Sequence, residues 1–378
     1  MTKTYGVGII GCGNISTTYF SLAPLFKGLE VRACADLNPE AAKARAAEYN
    51  VRAETIDALL ADDEIDVIVN LTIPDAHYAV TRRILEAGKH AYSEKPLVLT
   101  LEEGEDLRRI AREKGLSVGC APDTFLGGAH QQARQFIDAG GVGKITSGTC
   151  HVMGPGMEMW HPSPDFFFLP GGGPILDMGP YYIANLINLI GPVKRVAALT
   201  NMARESRTIS SEPRKGEVIP VKTPTNIHAL LEFVSGATIT LSASWDVWSH
   251  RHANMELYGT EGSIFVPDPN FFGGKVEVTG AGTETRPLDP WDHPFGKFNQ
   301  DHPHLGPLAN YRTAGLADMV AAMSEGRDAR CSLDRTLHGV DVMTSILKSG
   351  AEGRFVDMTT TCTQPAALGI EEAQALLK

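Results

Sequence analysis

The sequence predicts an α/β fold: an N-terminal doubly wound parallel sheet followed by an α/β domain with a large open, mostly antiparallel sheet. Three observations carry this. In the first third, short β-rich runs alternate with helical stretches of about ten residues or more, the grammar of βαβ units in a parallel sheet. After Cys120 the grammar changes to alternating strands joined by tight turns. A chain of 378 residues also exceeds one ordinary core, so two domains are expected, 1–121 and 122–378.

In the first domain the expected strands are "YGVGII", "EVRACA", "DVIVNL", "HAYS" and "LSVGC". Between them lie the helical stretches "NPEAAKARAAEY", "AHYAVTRRILEAG" and "TLEEGEDLRRIAREKG". "DVIVNL" is almost continuously apolar, as a strand covered on both faces should be. In the second domain the helix "GGAHQQARQFIDAGG" leads into "KITSGTCHVM", and "DMGPYYIANLINLIG" into "VKRVAALT". "NIHALLEFV" and "ATITLSAS" form a hairpin around Ser235-Gly236, and "ANMELYG" and "SIFV" another. Residues 266–308, rich in Pro, Gly, Asp and His, read as a long loop. Helices near 308–325 and 333–353 close the chain.

Composition excludes some functions. A net charge of −11 without a basic run argues against a nucleic-acid partner. No apolar segment approaches the roughly 20 residues that span a bilayer, so no membrane is expected. The six cysteines are scattered without C-x-x-C spacing, which suits a reducing cytoplasm rather than a disulfide framework or zinc site.

Four stretches carry chemistry. "GIIGCGNIS" places Gly11-x-Gly13, with Asn14 and Ile15, between the first strand and a helix. Glycine there permits a tight turn and close backbone approach to a pyrophosphate. Ser16 stands where Gly or Ala is usual. Asp36 ends the second strand, where an acid accepts ribose hydroxyls and repels a 2′-phosphate, so NAD is expected over NADP. Its alternative role is to cap the helix at Pro39. "NLTIPDAHY" brings Thr72, Pro74 and His77 to the carboxyl edge of the sheet, unless Asp75 simply starts a helix.

"HAYSEKPLVLT" brings Glu94 and Lys95 to the same edge. A lysine there, partly desolvated near a nicotinamide cation, would have its pKa lowered from about 10.4 toward the working pH, where proton transfer is fastest. "GGGPILDMGPYYIANLINLIG" places Asp177 at a helix start and Tyr181 one turn later on the same face.

Together these stretches resemble the Gfo/Idh/MocA family of oxidoreductases. The likeness rests on G-x-G near residue 11, "AGKHAYSEKPL" and "GGGPILDMG", and it covers nearly the whole chain. It implies a Rossmann domain, a second domain whose open sheet covers the nicotinamide and builds a homodimer or homotetramer, and a cis Lys95–Pro96 peptide. It also implies that Lys95 is the catalytic or substrate-positioning lysine, with Asp177 beside it. Many members carry His where this chain has Tyr181, and "APDTFLG", which holds Asp123, departs from an Asn/Arg-containing pattern.

The expected reaction is NAD-dependent oxidation of a sugar or cyclic polyol, from aldose to lactone or from ring hydroxyl to ketone. Lys95, Asp177 and Tyr181 are the catalytic candidates. Lys95, Asp123, Trp160, His161, Asp177 and Tyr181 are the candidate substrate contacts. Aromatic residues in "MWHPSPDFFFLPGGG" suit sugar rings, although one or two of Phe166, Phe167 and Phe168 are expected in the core. His293, His302 and His304 lack a carboxylate at helical spacing, so no metal site is expected. Two rivals stand beside this reading, an NAD-recycling glycoside-cleaving enzyme and a catalytically silent NAD-binding protein.

Overall fold

A computed structural model describes residues 3–302 and 305–378, so the expectation at His304 lies outside the described residues. The chain forms two compact units, one of residues 1–127, 292–340 and 368–378, the other of 128–291 and 341–367. The first crossing lies near the expected 121/122 boundary; later ones at 291/292, 340/341 and 367/368 were not anticipated from the sequence.

The first unit holds a six-stranded parallel sheet. Its strands are β1 (Tyr5–Ile10), β2 (Leu29–Ala35), β3 (Arg52–Glu54), β4 (Val67–Asn70), β5 (His90–Ser93) and β6 (Val118–Cys120), in the order β3-β2-β1-β4-β5-β6. The order reverses between β1 and β4, the switch point at which doubly wound sheets bind ligands outside their carboxyl ends. β1 and β4 are buried along their whole length, which explains their almost wholly apolar sequence.

Local chemistry sets the helix ends. Asn38 accepts the Glu40 N–H ahead of Pro39, and Thr100 and Glu103 form a reciprocal capping box at Leu101–Lys114. Helix capping after β2 therefore falls to Asn38, not Asp36.

The second unit is built on a mixed, mostly antiparallel nine-stranded sheet. Its strands run in the order Arg286–Pro287, Glu277–Gly280, Gly262–Val266, Met255–Gly259, Ile145–Met153, Thr238–Ser244, Asn226–Phe233, Val193–Asn201 and Val356–Asp357. Both expected hairpins are present, with Glu232 paired to Thr238 and Met255 to Val266. Along Asn226–Phe233 burial alternates: Ile227, Ala229, Leu231 and Phe233 are buried, while His228 and Leu230 are exposed. The exposed side is open enough to hold a shallow cavity of about 490 Å³ lined by Leu199, His228, Leu230, Arg354 and Phe355. The stretch expected as a long loop contains two short strands of this sheet, Glu277–Gly280 and Arg286–Pro287.

Candidate functional site

In the first unit the turn after β1 has room for a ligand. Gly11 has φ +100°, and a Cβ there would lie 2.6 Å from the Leu71 carbonyl oxygen. Gly13 is exposed, and a Cβ there would meet nothing within 4 Å. Gly11 is thus required by the chain, whereas Gly13 leaves open space over the backbone, the approach a pyrophosphate needs. Asn14 is exposed and Ile15 half-buried on the same turn.

Asp36, half-buried at the end of β2, accepts the Cys12 N–H at 2.7 Å and the Asn38 N–H at 2.8 Å. A carboxylate has about four acceptor sites, so two bonds leave capacity for ribose hydroxyls. These residues fit a dinucleotide.

The loop after β4 is organised by Asn70, a hub the sequence reading did not single out. Its Oδ1 accepts from the Thr72 backbone N–H and hydroxyl, and its amide donates to the His77 carbonyl and the Thr81 hydroxyl. Thr72 and Pro74 remain half-buried, and Ile73 between them is exposed. His77, expected as a cofactor contact, has its side chain engaged within the protein. Its ring is buried, 1% exposed, and both nitrogens lie on backbone carbonyl oxygens, so its side chain serves the loop.

The turn after β5 is tied down from several directions. The Glu94 N–H donates to the Asn70 carbonyl at 2.9 Å, and the Tyr19 hydroxyl donates to Glu94 Oε1 at 2.9 Å. Glu94 Oε2 accepts the Lys95 N–H at 3.1 Å. Glu94 and Lys95 are half-buried, and the Lys95–Pro96 peptide is cis as expected. Tyr19 is fully buried, and burial followed by the Glu94 charge pushes its phenol well above the usual range. It is therefore a fixed donor, and no signal in the sequence linked residues 19 and 94.

Asp123, expected as a substrate contact, likewise has its side chain engaged within the first unit. Its side chain is buried, 3% exposed, and Oδ2 accepts the N–H groups of Thr313 and Gly315, both at 3.0 Å. Burial raises its pKa to about 6 against the lowering effect of these bonds and of Arg312. It anchors the start of the helix Ala314–Glu325.

In the second unit Asp177 ends a one-turn helix, Pro174–Asp177, and the long helix Gly179–Ile190 starts after Met178. The helix start expected at Asp177 thus falls one residue later, with Met178 at the N-cap position. Asp177 and Tyr181 are both half-buried. His161 lies within electrostatic reach of Asp177: burial lowers the imidazole pKa, while a Ser163 backbone bond and the Asp177 charge raise it. The two residues, sixteen apart in sequence, are thus close enough for the Asp177 charge to act on the His161 ring.

Trp160 is 64% exposed and meets His161 edge-on, and His161 in turn meets Phe166 and Phe167. Phe167 and Phe168 are core, packed on Trp245, and Phe166 is exposed. Asp165 pairs with Arg214, which holds its carboxyl below the usual range.

A buried network supports this loop. Arg207 donates to the Pro155 and Trp245 carbonyls and pairs with Glu158 (2.7 Å) and Asp246. The participants are scattered in sequence, so only the fold reveals them. His293, by contrast, is a buried structural residue: its ring contacts the Leu368 carbonyl at 3.1 Å and accepts the Phe295 N–H. Among the described residues no group of three His, Cys, Asp or Glu side chains could hold a metal ion. No helix of the described residues is long and apolar enough to cross a membrane.

Comparison with known proteins adds to this geometry. Residues 5–121 match the model of the oxidoreductase family with an NAD-binding Rossmann fold, and residues 130–265 match the GFO/IDH/MocA C-terminal domain. D-Xylose dehydrogenase of Paenarthrobacter nicotinovorans is 25% identical over 334 residues, covering 84% of this chain and 83% of that protein. Two uncharacterised oxidoreductases of Schizosaccharomyces pombe are 28% and 32% identical over 47% and 43% of this chain, and the chain spans about half of their length, 51% and 44%. Among solved structures, levoglucosan dehydrogenase in complex with NADH superposes with a TM-score of 0.79 at 22% identity, covering 95% of this chain and 100% of that one.

Proposed function

Because the chain belongs to the Gfo/Idh/MocA family of oxidoreductases, with an NAD-binding Rossmann fold at residues 5–121, we propose that it is a dehydrogenase oxidising a hydroxyl of a sugar or cyclic polyol. The observation that carries this reading is Lys95, half-buried at the carboxyl edge of the parallel sheet on a turn fixed by Glu94. A surface lysine would need no such support.

NAD would be held by the Gly11–Gly13 turn and by Asp36, and when bound it supplies the hydride acceptor. Lys95 Nζ holds the substrate hydroxyl and takes its proton as the C–H hydride leaves and the C=O bond forms. Asp177 and Tyr181 are assigned to the substrate hydroxyls, with Tyr181 in the role that relatives give to a histidine. Trp160, with His161 at its edge, offers an apolar face beside a polar group, which suits a sugar ring. The sugar dehydrogenases among the relatives support the substrate class.

A panel of sugars and inositols assayed for NADH formation tests the reaction. Lys95→Ala should lower kcat by about 10²–10⁴-fold with NAD affinity nearly intact. Tyr181→Phe should cost less, because Lys95 still moves the proton. Near-normal turnover in the alanine variant would remove Lys95 from the mechanism.

We further assign the open face of the nine-stranded sheet to a homo-oligomer contact, since Leu199, Leu230 and Phe355 are exposed there. A monomer by light scattering would count against it. The buried free thiols of Cys12, Cys34, Cys120, Cys150 and Cys331 support a cytoplasmic setting.

A further inference from the structure

His77 sits in the first turn of the helix Pro74–Glu86, and its ring joins two loops. Nδ1 lies 2.6 Å from the Pro96 carbonyl oxygen and Nε2 lies 2.9 Å from the Thr72 carbonyl oxygen. Carbonyl oxygens only accept, so each contact is a hydrogen bond only if that nitrogen carries hydrogen. A neutral imidazole has one N–H. With a neutral ring, one contact sets a nitrogen lone pair against an oxygen lone pair in a buried place. Only the imidazolium makes both bonds at once.

The charged groups facing the ring are Glu94, which favours the imidazolium, and Lys95, which opposes it. Burial is the largest influence and lowers the pKa from the ordinary imidazole value, while the two carbonyls raise it. The pair of bonds is therefore complete in acid, and one of them weakens as pH rises and the ring becomes neutral.

We propose that His77 is a positioning residue for Lys95: it binds the carbonyl of the residue next to the lysine, ties it to the Thr72 loop, and so fixes the direction in which the lysine leaves the β5 edge. A ring that merely filled space would need no donors, and an apolar ring would leave the Pro96 and Thr72 carbonyls without this partner. The inference rests on the catalytic reading of Lys95, although its test does not.

The test compares wild type, His77→Phe, His77→Gln and Lys95→Ala. Protein labelled with [13C]lysine gives the Lys95 titration by NMR, and the Lys95→Ala spectrum identifies the signal. The Phe variant should bind NAD within about threefold of wild type yet lose about 10- to 100-fold in kcat, the scale of a small misplacement. Its Lys95 midpoint should shift, and Gln, which keeps a donor, should recover part of both.

A Phe variant with wild-type kcat and an unmoved Lys95 titration overturns the proposal. So does a loss of NAD affinity in step with kcat, which marks a general defect of the cofactor half. Should the Phe variant fail to fold, the Gln variant decides by the same two readouts, an unmoved titration with full kcat again being fatal. If Lys95→Ala keeps its turnover, the catalytic reading falls, and the lysine titration alone then decides the positioning role.

Discussion

Two glycine-rich turns, one in each unit, use glycine for opposite ends. At Gly11–Gly13 the outer glycine faces open space. At Gly171–Gly173 the chain fills the space itself. A Cβ on Gly172 would press into the Phe166 carbonyl oxygen and lie 2.6 Å from that of Phe167, and the Gly173 N–H donates to the Phe167 carbonyl at 2.7 Å.

The carboxylates divide in the same way. Asp36 keeps acceptor capacity at a half-buried edge, whereas Asp123 is enclosed with two backbone amides. A motif therefore says that backbone must come close to something; only the fold says whether that something is a ligand or the chain.

This contrast can be broken by substitution. Gly13→Val should weaken NAD binding by about 100-fold or more while moving the melting temperature of the NAD-free protein by less than about 2 °C, because the added side chain enters ligand space. Titration calorimetry and thermal unfolding measure the two together. A large loss of stability with unchanged affinity would reverse the assignment of that turn.

Gly172→Ala should do the opposite, costing about 2–3 kcal/mol of stability through overpacking and leaving NAD affinity within about threefold. Urea unfolding with and without NAD reads both.

The smallest effect concerns Asp123. Its folded-state pKa, about 6, lies above its ordinary 3.8. The folded state therefore holds the proton more tightly, and the group adds stability that is full below about 3.8 and lost as pH rises through about 6. Asp123→Asn should flatten this pH dependence by an amount on the order of 2–3 kcal/mol at most. Unfolding midpoints at pH 5 and 7.5 that change alike in both proteins would contradict the buried, raised carboxyl.

The contrast also explains what was legible in the sequence. β1 and β4 could be read because burial along their whole length forces almost wholly apolar runs, and β2, β5 and β6 because short β-rich runs alternate there with helical stretches. β3 could not, being three exposed or half-buried residues, Arg-Ala-Glu, at the sheet edge. Gly11 was legible as a backbone demand, and Gly13, Asp36 and Lys95 stood out by their places just after β1, β2 and β5. His77 and Asp123 were recognisable as polar residues near the right edge, but their burial and backbone partners depend on Pro96, Thr313 and Gly315, which no local pattern connects. In the second unit the break at Met178 separates Asp177 from the helix it was expected to start. The sequence shows only a spacing of four there, not the interruption.

The outer side of β6 carries a consequence for inheritance and engineering. Gly119 bridges to Ser332, the Cys120 N–H donates to the Cys331 carbonyl at 3.2 Å, and Arg335 reaches the Cys120 carbonyl. The strand that ends the cofactor motif is thus finished by residues encoded some two hundred codons later. A chimera that transplants residues 1–121 alone would carry every recognisable signature of dinucleotide binding and still expose a raw strand edge, a template for aggregation. Recombination of this half with a foreign partner should succeed only when the segments 292–340 and 368–378 travel with it. Its unit of exchange is discontinuous in the gene.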